Sequence, residues 1–306
     1  MGVRFSGLDL MKFLMAVMVI AIHTTDWSIA HLTDAAVPFF FIVSGFLLFR
    51  KFSGKKEEDL KTIKTWTLKV LKLYVVWSIV YLPFAIYGFH LDGLGFIQAV
   101  KIYLRNFLLV GENYLSWPLW YLLGLVWCGI IIYILRKINV PVWGMFLLGL
   151  FLFAAASAFS LDEVDAYTKL FKTTRNGLFV GLLYVTTGAI VAERYGGFVT
   201  SSSNNSLVFG LFAVALFAGL QFSEYFLWPF ALALFLFCLV WPFGFPSVDI
   251  SPKLGSMSRT IYLVHMLFAG LLIIVFGDKL SPGFLVAMVS LLSLATAYFS
   301  LPKSLR

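Results

Sequence analysis

Charge is scarce in this chain. Only 12% of its 306 residues are Asp, Glu, Lys or Arg, against 61% hydrophobic, and the mean hydropathy is +0.93. That balance lies far from soluble composition; it excludes an ordinary water-soluble globule and predicts a polytopic membrane protein. Cysteine is nearly absent. Cys128 and Cys238 both fall in apolar runs, which speaks against a disulfide framework. Zinc-ligand spacing, a phosphate-binding glycine loop, a dinucleotide glycine motif and a nucleophile elbow are all missing, so no metal site is expected. Residues 1–10 hold no signal-peptide cleavage site. No Pro-, Ser- or Gly-rich linker sets off a second domain, and one integral domain over residues 1–306 is expected. Apolar segments consume nearly all of the chain, leaving no room for a soluble catalytic domain of ordinary size. No repeat of fixed period and no inverted repeat is visible.

What is present is a series of apolar segments of spanning length: 8–25, 35–50, 70–89, 94–110, 118–135, 142–160, 176–193, 206–222, 225–241, 257–276 and 283–301. The segment 94–110 carries Gln98, Lys101 and Arg105 among its apolar residues and reads as an amphipathic surface or re-entrant helix. The expected fold is therefore all-α, a bundle of about ten transmembrane helices with both termini on one side. On that side fall Arg4, Lys12, eight basic residues from Arg50 to Lys72, Arg136, Lys137, Arg194, Lys253, Arg259, Lys303 and Arg306. These are 17 of the 23 basic residues, and the opposite side holds the other 6. The positive-inside rule makes both termini cytoplasmic. A net charge of +8 arranged this way flanks a membrane and gives no sign of nucleic acid. Residues 50–72 read as a basic surface helix leading into the third span.

The most informative residues are Lys12 and His23, both inside the first apolar segment. Eleven residues at about 100° each come to three turns and about 20°, so both share one helix face, roughly 16 Å apart along the axis. An ionisable residue inside a span is costly and marks a functional site by default. A cation near one membrane face and an imidazole toward the other suit a long anionic ligand with a reactive end. His23 can serve as general base toward a hydroxyl, with Asp26 one turn on to orient it. The bland alternatives are an interfacial histidine, and a Lys12 that pairs with Asp9 and snorkels to headgroups.

Other candidates carry two readings each. Ser44 and Gly45 permit close backbone approach and a hydrogen bond across helices; Ser44 is equally placed to line a ligand path. The lysines between 51 and 72 attract anionic lipid, and Lys69 and Lys72, which lead into the third span, are the better phosphate ligands. Trp120 and Tyr121 fit an aromatic belt at the membrane surface. Arg175, beside Asn176, opens a helix where its charge opposes the dipole unless a ligand uses it. His265, after Tyr262, reads as a single buried histidine bonded to a neighbouring helix or as a site residue.

Taken together these residues resemble the acyltransferase-3 family of bacterial membrane proteins. The family pattern runs through Leu-Asp-x-x-Arg-x10-His, Pro-x-Phe-Phe-x-x-Ser-Gly-Phe, a basic entry to the third span, Leu-Trp-Tyr-Leu, Arg-Asn and Ile-Tyr-Leu-x-His. Here those are Leu8-Asp9 with Lys12 and His23, Pro38 to Phe46, Lys69 to Tyr74, Leu119 to Leu122, Arg175-Asn176 and Ile261 to His265. Lys12 stands where the family has arginine, which keeps the charge and loses the planar fork. The resemblance implies a multi-pass protein of the bacterial cytoplasmic membrane that moves an acyl group, most often acetyl, from cytoplasmic acyl-CoA to a hydroxyl of a glycan or lipid-linked sugar. Lys12, Lys69, Lys72 and Ser44 would hold the donor, and His23 with Asp26 would carry the chemistry as base or as acyl acceptor. Arg175, Asn176, Trp120, Tyr121 and His265 would meet the acceptor, with His265 less important than His23. Membrane lipids are expected neighbours, and an envelope-assembly partner or a homo-oligomer fits the scheme. Some relatives carry an extracytoplasmic esterase-like domain, which is not expected here. The resemblance, through Thr174 to Gly177, extends to membrane domains fused to vancomycin-resistance serine racemases and associated with serine uptake. A small-molecule transporter is therefore the second expectation, and a non-catalytic envelope scaffold the third.

Overall fold

The structure, a computed structural model, describes residues 5–24, 33–161, 177–195, 228–241 and 250–305. Among them every regular element is helical. The α-helices are α1 (Ser6–Thr24), α2 (Ala36–Phe49), α3 (Lys56–Val80), α4 (Leu82–Leu91), α5 (Phe96–Arg105), α6 (Leu119–Lys137), α7 (Val142–Leu161), α8 (Gly177–Tyr195), α9 (Trp228–Val240), α10 (Ile250–Phe276) and α11 (Pro282–Phe299). Five of them, namely α1, α6, α8, α10 and α11, are long and apolar enough to cross a membrane; α3 and α4 make a sixth if the bent pair counts as one span. The helices α2 and α9 and the stretch Val142–Ala156 of α7 are shorter and apolar. Large apolar side chains such as Ile134, Phe151, Val275 and Leu291 point outward, as lipid-facing surfaces require when only helices can satisfy their backbone. The chain is a multi-pass membrane protein. The segment 206–222 lies outside the described residues.

The third apolar segment, 70–89, departs from expectation. The basic segment 50–72 and the third span do not form separate elements: α3 runs unbroken from Lys56 to Val80, and the bend of 48° to α4 falls inside the segment 70–89. Pro83 sits in the first turn of α4; without an N–H, and with its ring against the preceding turn, it ends the straight helix just upstream. The segment 94–110 is the short helix α5, with no buried residue, followed by a single π-helical turn over Asn106–Val110. Gly111 closes that turn at φ 88° with its Cα against Trp120, a place where no Cβ fits.

The chain divides into two compact units, Met1–Val43 with Gly197–Arg306, and Ser44–Gly196, the division falling inside α2. In the first unit α1 packs mainly on α10, and α10 also packs on α11. Asp9 meets Ser251, and His23 meets His265. Both pairs advance by fourteen residues, so α1 and α10 run parallel. Thr260 meets Ser300 at 3.3 Å, which makes α11 antiparallel to α10. α11 therefore runs opposite in direction to both α1 and α10. Phe40 packs edge-on against Tyr262, and Phe39 against Phe237, to fill its interior.

In the second unit α3 packs on α6, and α8 on both α6 and α7. Small residues set these distances: Gly45 lies against the backbone of Val185, and Gly177 against that of Gly124. Asp59, at the start of α3, has no exposed surface. It accepts from Arg136 Nη2 at 2.6 Å and from the Ser53 amide at 2.9 Å. The Arg136 guanidinium also lies over Phe52 at 5.8 Å. Nearby, Lys55 Nζ donates to the exposed Glu58 carboxylate at 3.1 Å.

Candidate functional site

The polar groups of the first unit gather at two levels of the α1–α10 seam. At the lower level the Asp9 carboxylate is 7% exposed and takes Lys12 Nζ at 2.6 Å. The Ser251 hydroxyl donates to its other oxygen at 3.1 Å. A buried carboxylate is tolerated only when so paired. Gly255 makes room for it, since a Cβ there would collide with the Asp9 carboxylate. Lys12 is thus held by Asp9, the pairing open from sequence. An ammonium has three donors, and Asp9 uses one.

Fourteen residues on, about 21 Å along the axis at 1.5 Å per residue, the imidazoles of His23 and His265 stack with centres 5.5 Å apart and planes 16° apart. Met15, Ala16, Val19 and Ile20 on α1, and Ser258, Ile261 and Tyr262 on α10, form a buried stretch between the levels. His265 has no exposed surface, whereas His23 is partly accessible. The hydrogen bond of His265 goes from Nδ1 to the Ile261 carbonyl of its own helix at 3.2 Å, not to a neighbouring helix. Its partner across the seam is the His23 ring.

Of the other predicted residues, Ser44 and Tyr121 are brought together. Their hydroxyls lie 3.0 Å apart within the second unit, so residues assigned to donor and acceptor bond each other. Trp120 is half-buried one position earlier on α6. Lys69 and Lys72 are exposed on α3, neither in an ion pair among the described residues. Asp26, Arg175 and Asn176 lie outside the described residues. Sequence reasoning missed Ser251 as a partner of Asp9, Arg136 as a partner of Asp59, and the contact between the two histidines. One signal was present: the spacing from Asp9 to His23 equals that from Ser251 to His265, as parallel helices in register require. No cluster of three or more metal-ligating side chains occurs among the described residues.

These features belong to a known family. The family model Acyl_transf_3, described as an acyltransferase domain, matches residues 5–300, and the chain belongs to that acyltransferase-3 family. Among curated proteins it is 26% identical over 302 residues to a protein named amino-acid racemase from Enterococcus faecalis, covering 86% of this chain and 41% of the relative. It is also 26% identical over 290 residues to a serine/alanine racemase from Enterococcus gallinarum, covering 85% of this chain and 40% of the relative. The chain thus spans about two-fifths of the length of these relatives. No solved structure matches significantly.

Proposed function

We propose that this protein is a membrane O-acyltransferase that moves an acyl group, acetyl in the simplest case, from cytoplasmic acyl-CoA to a hydroxyl of an extracytoplasmic or lipid-linked glycan. The observation that carries this reading is the imidazole pair of His23 and His265, set about 21 Å along a transmembrane seam from the Asp9–Lys12 ion pair, in a chain of the acyltransferase-3 family. Acyl-CoA is anionic at its phosphates and reactive at its far thioester. Lys12, with two donors left after Asp9, receives the phosphate end. The thioester reaches His23, the more accessible imidazole. The acceptor approaches from the opposite face.

The proposed setting is a bacterial cytoplasmic membrane with ten spans and both termini inside. Parallel α1 and α10 support it, because such a chain crosses an odd number of times between them, as the arrangement proposed here does. The positive-inside distribution supports the orientation. The deciding experiment compares purified wild-type protein with His23→Ala. Transfer from acetyl-CoA to the membrane glycan fraction should fall at least about 100-fold, with acetyl-CoA binding unchanged. Near wild-type transfer by His23→Ala would overturn the reading.

A second reading is transport of a small amino acid such as serine. It is favoured by the broken span at Tyr81, since transporters use discontinuous helices, and by one relative's name, serine/alanine racemase, which implies handling of small amino acids. Serine uptake by wild-type protein that persists in His23→Ala would favour it over transfer.

A further inference from the structure

Two buried side-chain polar atoms among the described residues of the first unit lack a hydrogen-bond partner: His265 Nε2 and Ser293 Oγ. The tautomer of His265 follows from its one hydrogen bond. A carbonyl oxygen only accepts, so the contact with Ile261 requires the proton on Nδ1. In the neutral ring Nε2 is then a bare lone pair with no exposed surface. Leaving such an acceptor unpaired in the interior is costly, and an apolar side chain would avoid the cost. With α11 antiparallel to α10 and Thr260 opposite Ser300, Ser293 lies about 3 Å in height from His265. Both orphaned atoms sit near the level of the stacked imidazoles.

We infer that the two histidines divide the transfer between them: His23 carries the acyl group, and His265 Nε2 takes the proton of the acceptor hydroxyl. This rests on the acyltransferase reading and resolves how the site would work. A ring nitrogen of His23 attacks the thioester carbonyl; an N–C bond forms, the C–S bond breaks, and CoA leaves as the thiol with the His23 ring proton. The acceptor oxygen then attacks the acyl carbon while its proton moves to His265 Nε2. The N–C bond breaks, and His265 passes that proton to the departing His23 ring. Both imidazoles return to neutral, and the balance is acyl-CoA and alcohol to ester and CoA thiol. Exposure fixes the roles. His23 is accessible to a thioester, whereas His265 is enclosed and tied to its own backbone in the tautomer that leaves Nε2 able to receive a proton.

His265→Asn keeps a side-chain donor at the Nδ1 position and deletes the Nε2 base; His265→Gln is a second variant should the first fold poorly. Three reactions separate the roles, the first two run with purified protein and the third in membrane vesicles that contain it. Exchange of labelled CoA into acetyl-CoA needs only acyl-His23. Acetylation of hydroxylamine needs the acyl group but no base, because the nitrogen lone pair is already free. Transfer of labelled acetyl to the glycan fraction of inside-out vesicles needs both. His265→Asn should exchange and acetylate hydroxylamine within about threefold of wild type, yet lose 10²–10⁴-fold in glycan transfer. His23→Ala should lose all three. Wild-type glycan transfer by a folded His265 variant, or loss of exchange equal to that of His23→Ala, would overturn the assignment. Wild-type transfer without exchange would remove the acyl-carrier role of His23, and wild-type protein inactive in all three would remove the acyltransferase reading itself.

Discussion

His23 and His265 come from helices 242 positions apart in register, yet their rings lie parallel within 16° at a centre distance of 5.5 Å. Groups that act as a unit do not contribute additively to rate. The double variant His23→Ala/His265→Ala should therefore transfer acyl groups no more slowly than the worse single variant, within about threefold. Losses that multiply would show that the two rings act independently.

Lys12 has a structural partner and a proposed ligand at once. Lys12→Ala should weaken acetyl-CoA binding in a direct titration and should also lower thermal stability, because Asp9 then loses its counter-charge in the interior. Lys12→Arg should preserve both, with its fork facing Asp9 and a phosphate. Unchanged affinity in Lys12→Ala would leave the residue as the partner of Asp9 alone.

The Ser44–Tyr121 bond distinguishes packing from ligand binding. If it pins α2 to α6, Ser44→Ala and Tyr121→Phe should each cost about 1 kcal/mol, and the double variant should cost less than their sum. Thermal unfolding in detergent measures this. Acetyl-CoA affinity should not move in either single variant; a clear drop in Ser44→Ala alone would give Ser44 a place beside the donor.

The buried pair of Asp59 and Arg136 should be the costliest of these to break. Arg136→Ala strands an enclosed carboxylate, and removing one partner of such a pair costs about 3–5 kcal/mol. Since Arg136 retains 25% side-chain exposure, the lower end is expected. Asp59→Ala/Arg136→Ala should recover part of the loss, and equal unfolding of single and double variants would exclude coupling.

For topology, single cysteines replacing Lys56 at the start of α3 and Asp92 at the end of α4 should react with an impermeant thiol reagent from opposite faces of the membrane. Reaction of both from one face would overturn the span formed by α3 and α4.

The helices were legible because apolar length in a membrane has so few outcomes. The start of α6 and the amphipathic surface character of α5 followed from charge and hydropathy read along the chain. The bend at Tyr81 escaped because averaging hydropathy over 70–89 erases one proline, although Pro83 alone suffices to break the run. His23 and Lys12 stood out as polar groups in an apolar segment. The role of His265 did not, because its meaning depends on a neighbour from the far end of the chain. Ser251 was invisible for the same reason: a serine in a first helical turn has many local uses, and only the register of α1 against α10 selects Asp9.

That register has a consequence for the order of synthesis. Asp9 emerges 242 residues before Ser251, which at about 5–20 residues per second is roughly 12–50 s on the ribosome. For that interval α1 sits in the bilayer without the helix that will later cover it. The Asp9–Lys12 contact needs only residues three apart, so it forms as soon as the first turns leave the exit tunnel. It lets an anion and a cation offset each other at once. Ser251 then joins a pair already made, and the nascent helix waits in lipid as a nearly neutral rod.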